Sequence, residues 1–138
     1  MTRINLVPVE EISDQHLMAE YRELPRIVNG VIDGKLKIEN IPTEFCLGKG
    51  HVKFFVNKIH YLVNRYHEIY QELKFRSYNL TLTANALQKK VFESDYDFEV
   101  EYIFTKKDIE VSKKRLIEKV SQKPEWYKWT KRKRPSYY

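Results

Sequence analysis

Residues 13–29 read SDQHLMAEYRELPRIVN, and they decide the fold class. Placed on a helical wheel at about 100° per residue, they separate into two faces. Leu17, Tyr21, Leu24 and Val28 gather on one side. Gln15, His16, Ala19, Arg22, Glu23 and Arg26 form a polar stripe almost opposite, with small Ala19 in its middle. Ser13 suits the N-cap, and Asp14 in the first turn suits the helix dipole. Pro25 removes one backbone donor and is expected to kink the helix near Tyr21. Asn29-Gly30 and Asp33-Gly34 then supply breaker signals.

Such a helix must bury its apolar side against other elements, and the chain supplies helices rather than strands to do so. Residues 30–50 read mostly as loop, closed by Ile41-Pro42 and Gly48-Lys49-Gly50. A second helix is expected from about His51 to Arg76. Val52, Phe55, Ile59, Leu62, Tyr66, Ile69 and Leu73 recur there at three- and four-residue steps. Lys53, Lys58, Asn64, His67 and Glu68 fall on its other, solvated side. Residues 77–104 read as irregular, with a short helix near Leu82 to Phe92 and an acidic-aromatic run of Glu93, Asp95, Tyr96, Asp97, Phe98 and Glu99. Thr105-Lys106-Lys107-Asp108 resembles a capping box and opens a third helix to about Gln122. That helix is expected to bury Ile109, Leu116 and Val120 before Pro124 ends it. Upstream, residues 2 to about 12, with Pro8 and several β-branched residues, read as an extended arm. The expectation is an all-α fold: a single domain, 1–138, of three main helices with long irregular connections.

The chain has 138 residues, a formal net charge of +6 and 14% aromatic residues. That charge favours anionic partners, nucleic acid first and acidic membrane second, while the aromatic content argues against a disordered basic tail. Cys46 is the single cysteine, which excludes an internal disulfide and a cysteine-rich zinc site. His51, His60 and His67 lack a metal-like partner set, so no metal and no cofactor is expected. No apolar run approaches the ~20 residues needed to cross a bilayer. Glu10, Glu11 and Asp14 stand where a signal peptide needs an apolar stretch. The expectation is a soluble, cytoplasmic monomer with no membrane partner.

Four features bear on chemistry. Thr2 follows Met1, and initiator methionine is generally removed before so small a residue, which leaves Thr2 with a free α-amine. Such an amine has a pKa near ~7.7–8.0, against ~10.4 for lysine, so a sizeable neutral fraction exists at neutral pH. Amines attack carbonyl-like carbons and form Schiff bases, and Arg3 next door disfavours the protonated form by like-charge repulsion. Glu23, beside Arg22 and one turn from Arg26, suits an electrostatic stabiliser or proton acceptor; an ordinary helix-surface ion pair is the plainer explanation from the residues alone. Arg22, Arg26, Arg115 and Lys119 read as phosphate contacts, and the last two share a face of the third helix. As single cations they are also ordinary solvated surface.

Residues 123–138, KPEWYKWTKRKRPSYY, form a basic aromatic tail. Here Lys123, Lys128, Lys131, Arg132, Lys133 and Arg134 stand against one acid, Glu125. Trp126, Tyr127 and Lys128 pair stacking faces with charge, as nucleic-acid binders do; the rings also suit a lid on the core.

Several blocks together resemble a known family. They are MTRINL at residues 1–6, DQHLMAEYRELPR at 14–26, Leu47-Gly48, Gly50-His51-Val52, Phe54-Phe55, and Pro124 with Trp126-Tyr127-Lys128. This pattern resembles the pyrimidine-dimer DNA glycosylases, the phage-type endonuclease V family of the T-even phages, with relatives in chlorella viruses and some bacteria. Residues 77–104 match poorly.

The resemblance implies a three-helix fold and a bifunctional DNA repair enzyme acting on UV-damaged double-stranded DNA. The Thr2 amine would attack C1′ of the 5′ sugar of a cyclobutane dimer, and β-elimination would then cut the strand (AP lyase). Glu23 would stabilise the cationic sugar and take part in proton transfer. Arg3, Gln15, His16, Arg22, Arg26, Arg115 and Lys119 would contact DNA. Family members flip out the adenine opposite the lesion. The competing readings are a non-catalytic nucleic-acid-binding module on this scaffold, and the same mechanism with another lesion preference. The connection from Ile27 to Ile41 looks shorter and less basic than in the phage enzyme, which shifts nonspecific DNA affinity toward the tail.

Overall fold

The computed structural model describes residues 2–81 and 85–138. Its α-helices are α1 (Asp14–Ile32), α2 (His51–Phe54), α3 (Ile59–Phe75), α4 (Ala86–Phe92) and α5 (Lys106–Gln122), preceded by a 3-10 turn at Val9–Glu11. No strand occurs among the described residues, so the fold is all-α.

α1 starts where its sequence says it should. Ser13 accepts the His16 N–H through its Oγ, satisfying one of the orphan donors of the first turn. Its apolar face packs on α3, and Leu17, Leu24 and Val28 are fully buried there with Leu62, Ile69 and Leu73. The helix continues through Pro25 and Gly30 to Ile32. Gly30 therefore makes room rather than a stop: a Cβ there would lie 2.8 Å from Leu36 Cδ1. The turn falls at Gly34, whose φ of +77° suits glycine.

The long second helix is in fact two. α2 ends at Phe54, and α3 begins at Ile59. Between them Phe55 and Val56 donate three residues back, to Val52 and Lys53, in a tightened turn. The interruption lets another segment dock. Asn57 O accepts the Val100 N–H at 2.9 Å, and the Glu99 carboxylate caps α3 by accepting the N–H groups of His60 and Tyr61. Lys58 is buried rather than solvated; its ammonium donates to Phe54 O and Asn57 Oδ1 and sits 3.8 Å from the Phe54 ring centre. Phe54, Phe55, Ile59 and Leu62 all remain in one core, so the apolar rhythm continues across the break and conceals it.

α5 carries the expected capping box, with Thr105 Oγ1 accepting Asp108 N–H and Asp108 Oδ2 accepting Thr105 N–H. Its inward line, however, is Asp108, Ser112, Leu116 and Val120. Ile109 is 37% exposed, because the helix turns its polar Asp108 and Ser112 inward to serve other segments. The short helix expected from Leu82 begins at Ala86 within the described stretch; residues 82–84 lie outside it.

Two buried ionic networks tie the ends of the chain to the α1–α3 pair. In the first, Arg65 of α3 pairs with Glu20 of α1 at 2.8 Å. In the second, Arg76 pairs with Asp14 and Glu72, both at 2.8 Å. Such buried charges are tolerated only where hydrogen bonds satisfy both partners, as they do here.

Candidate active site

The chain before α1 is threaded into the protein by its own backbone. Ile4 N–H donates to His51 Nε2 at 2.9 Å, and Leu6 N–H to Ser112 Oγ at 2.9 Å. Asn5 Nδ2 donates to Glu20 Oε1 at 2.8 Å, and Val7 O accepts from Arg65 Nη1 at 2.9 Å. Ile4 and Val7 are buried at 1% exposure, which adds apolar anchorage to the polar one. Four successive residues are thus fixed to α1, α2, α3 and α5. Thr2 and Arg3 emerge from this clamp half-buried.

Around that exit the structure gathers residues distant in sequence. Burial, then the nearby Arg3, pulls the Arg115 guanidinium down from the ordinary arginine range, while Tyr127 and Glu23 oppose the shift. Arg115 therefore lies within electrostatic reach of the arm, the α1 stripe and the tail at once. His16 is pushed down to about 4, first by burial and then by Arg115 and Lys119. His51 is likewise pushed down to about 4 by burial, with Arg3 and Arg115 adding to it and the bond to Cys46 O opposing it. Arg3, His16, Glu23, Arg115, Lys119 and Tyr127 hence belong to one locality built from the arm, α1, α5 and the tail.

Glu23 is half-buried and forms no salt bridge among the described residues. The ordinary surface pair with a neighbouring arginine is not made. Arg22 and Arg26 project into solvent one turn apart. Arg22 also borders an open cleft of about 410 Å³ with Gln15, Met18, Ala19, Tyr78 and Trp126.

Gln15 sits on the expected stripe, yet its amide is occupied within the protein. Nε2 donates to Trp126 O at 2.7 Å, and Oε1 accepts the Lys128 N–H at 3.0 Å. It staples the tail to α1. His16 stacks on Tyr127, and Trp126 stands edge-on to Tyr127 with 58% of its surface exposed. Lys128 is exposed beside them.

The tail is therefore part of the fold. Asp14 accepts from Thr130 through both its backbone N–H and its hydroxyl, and from the Tyr78 hydroxyl. These bonds and Arg76 outweigh burial and hold the Asp14 carboxyl below its usual range. Arg132 reaches both oxygens of Glu72, Trp129 Nε1 donates to Glu11 O, and the Tyr137 hydroxyl donates to Glu11 Oε1. Of the two tryptophans, Trp129 is the lid on the core, at 8% exposure, and Trp126 is the open ring. In the KRKR run, Arg132 is committed to Glu72, whereas Lys131, Lys133 and Arg134 remain exposed.

Sequence reasoning passed over His51, Ser112 and the Asn5–Glu20–Arg65 group. Glu20 had a signal: it is a carboxylate three residues from Leu17 and four from Leu24, at the edge of the buried face. His51 and Ser112 had none, because each serves the backbone of a segment far away in sequence. Among the described residues, no group of three His, Cys, Asp or Glu side chains is placed to hold a metal ion, and no helix is long and apolar enough to cross a membrane.

The model of a family described as pyrimidine dimer DNA glycosylase matches residues 1–86. That span holds the arm, α1, α2 and α3 but not α5 or the tail, which supply Arg115, Lys119 and Tyr127.

Proposed function

Because the chain belongs to the pyrimidine dimer DNA glycosylase family, we propose that it excises cyclobutane pyrimidine dimers through an imine to its own N-terminal amine and then cuts the strand. Once Met1 is removed, the Thr2 nitrogen attacks C1′ of the 5′ nucleotide of the dimer. An N–C1′ bond forms, the glycosidic bond breaks, and its electron pair leaves with the pyrimidine. Loss of the amine proton and ring opening, with O4′ taking up a proton, give the imine. Abstraction of a C2′ proton then expels the 3′ phosphate by β-elimination, and water releases the sugar and restores the amine.

Glu23 is the carboxylate for this sequence. It stabilises positive charge at C1′ and moves protons between the amine, O4′ and C2′. The observation that carries the reading is the shared reach of Arg115 toward both Arg3 and Glu23. Arg3, on the arm that bears Thr2, and the stripe carboxylate Glu23 both act on the charge of Arg115. Arg3 and Arg115 add positive field where a phosphodiester would lie. Arg22, Arg26, Lys119 and Lys128 extend that field along the exposed surface. The cleft beside Arg22, with Trp126 at its border, has room for a base turned out of the duplex.

Borohydride reduction during reaction with UV-irradiated or abasic duplex tests the reading. The expected result is a covalent protein–DNA adduct whose mass places the sugar on Thr2. Tight lesion binding with no adduct from Met1-processed protein would instead make this a binding module.

A further inference from the structure

His51 is completely buried at the first position of α2, a helix entered through Gly50 at φ +98°. A Cβ on Gly50 would crowd Pro42 Cγ at 3.3 Å, so this approach to the helix is narrow. The ring is held between Phe45 and Phe55, whose centroids lie 5.5 and 5.3 Å away, both edge-on. Its Nδ1 lies 2.8 Å from Cys46 O, and its Nε2 lies 2.9 Å from Ile4 N. A carbonyl only accepts and a backbone N–H only donates. One state satisfies both: the neutral ring with its proton on Nδ1 and a lone pair on Nε2.

We propose that His51 is a positioning residue for the imine reaction, its Nε2 lone pair holding Ile4 N–H and so setting where the Thr2 amine stands. This rests on the proposed function. Ile4 is two residues from Thr2, a span of at most about 7 Å. Among the described residues no other long-range hydrogen bond of the arm lies nearer its end, since the remaining anchors act at Asn5, Leu6 and Val7. Without the bond to His51, Thr2 and Arg3 are held only through the non-directional burial of the Ile4 side chain, while the deeper arm keeps its hydrogen bonds.

The charged surroundings keep the lone pair available. Burial opposes protonation of the ring, and the charges of Arg3 from the arm and Arg115 from α5 add to it. The Cys46 carbonyl alone favours the protonated form, and the Cys46 thiol on the same loop is directed to Lys49 O.

The test compares wild type with His51→Phe, which keeps a ring but has no acceptor, and His51→Gln, which returns an acceptor on a flexible stem. Two readouts are taken: single-turnover adduct formation with borohydride on UV-irradiated duplex, and amide hydrogen exchange at Ile4 and Leu6. His51→Phe is expected to slow trapping about tenfold to a hundredfold, with lesion affinity within about twofold of wild type. Exchange at Ile4 should rise while Leu6 keeps its protection, and His51→Gln should recover part of both. Wild-type trapping by His51→Phe, with or without faster exchange at Ile4, overturns the proposal.

If wild type forms no adduct, the functional reading fails instead, and exchange at Ile4 alone decides whether His51 holds the arm. Should both variants misfold, the wild-type amide serves. Ile4 protection should collapse as pH falls through about 4, ahead of Leu6. Simultaneous loss at both amides would refute a local lock.

Discussion

The imidazole of His16 lies flat against the phenol ring of Tyr127, with centroids 4.7 Å apart and planes 9° from parallel. It joins the first turn of α1 to the tail, beside the Gln15 staple and above the Asp14 network. Three consecutive residues, Asp14, Gln15 and His16, thus each hold a different part of the tail by a different interaction.

Glu23 offers the sharpest mutational test of the chemistry. Glu23→Gln keeps the shape and removes the charge, and no salt bridge is lost with it. Excision should fall by at least about a thousandfold if the carboxylate acts both electrostatically and in proton transfer. Lesion binding should persist in gel-shift titration. Wild-type turnover would remove Glu23 from the mechanism.

The amine is tested by changing what stands behind Met1. Thr2→Ser keeps a small residue, so Met1 should still be removed and trapping retained. Thr2→Leu should retain Met1, turn the nitrogen at position 2 into an amide and abolish the adduct. Intact mass reports the processing of each variant, and borohydride trapping reports the outcome.

The tail's contribution to DNA affinity needs a narrower variant than truncation. Cutting after Trp129 would remove Thr130 and Arg132, and with them bonds to Asp14 and Glu72. The double variant Lys128→Gln, Lys133→Gln should leave the fold intact and weaken binding on all sequences, whereas Lys131 is bonded to Ser77 Oγ and is left in place. Each phosphate that is no longer neutralised should flatten the slope of log K against log salt by about 0.9. An unchanged slope would show these lysines idle.

Arg76 should matter more for stability than any exposed cation. Arg76→Met leaves Asp14 and Glu72 buried without their shared partner, which typically costs about 3–5 kcal/mol. Urea denaturation measures that loss. Arg22→Gln, on the exposed stripe, should shift the same midpoint little.

Stability should fall in mild acid, through His16 and His51. Both titrate at about 4 when folded, against an ordinary value of 6.5. Between those values the unfolded chain binds protons that the folded one refuses. Stability is therefore full above pH 6.5 and declines toward pH 4. Asp14 and Glu72 are held below their ordinary values of 3.8 and 4.5, so their share disappears only at lower pH still. Urea midpoints from pH 7 to 4 should show the slope, and His16→Phe should flatten part of it. A level profile would mean that neither imidazole is shielded.

Much of α1 could be read directly, because a two-faced helix writes its burial into its spacing. Leu17, Tyr21, Leu24 and Val28 are buried, and the opposite stripe from Gln15 to Arg26 stays wholly or partly accessible. The break between α2 and α3 could not be read, since Phe55, Ile59, Leu62, Tyr66, Ile69 and Leu73 stay buried across it as a continuous helix would bury them. Among the residues expected on the solvated side, only buried Lys58 departs from that rhythm. Ile109 misled because the partners of Asp108 and Ser112 come from Tyr102, Thr105 and Leu6, which helical spacing does not encode. The same limit hid His51. The family resemblance implied a DNA contact for Gln15, and Arg132 belonged to the basic run, yet both make their bonds inside the protein.

The grip of Asp14 on Thr130, and of Glu72 on Arg132, also sets an order of events in time. Thr2 and Arg3 leave the ribosome early, but Arg115, Lys119 and Tyr127 follow more than a hundred residues later. Until α5 and the tail dock, the N-terminus lacks Arg115, Lys119 and Tyr127 beside it. The N-terminal end of the nascent chain is made long before these later partners.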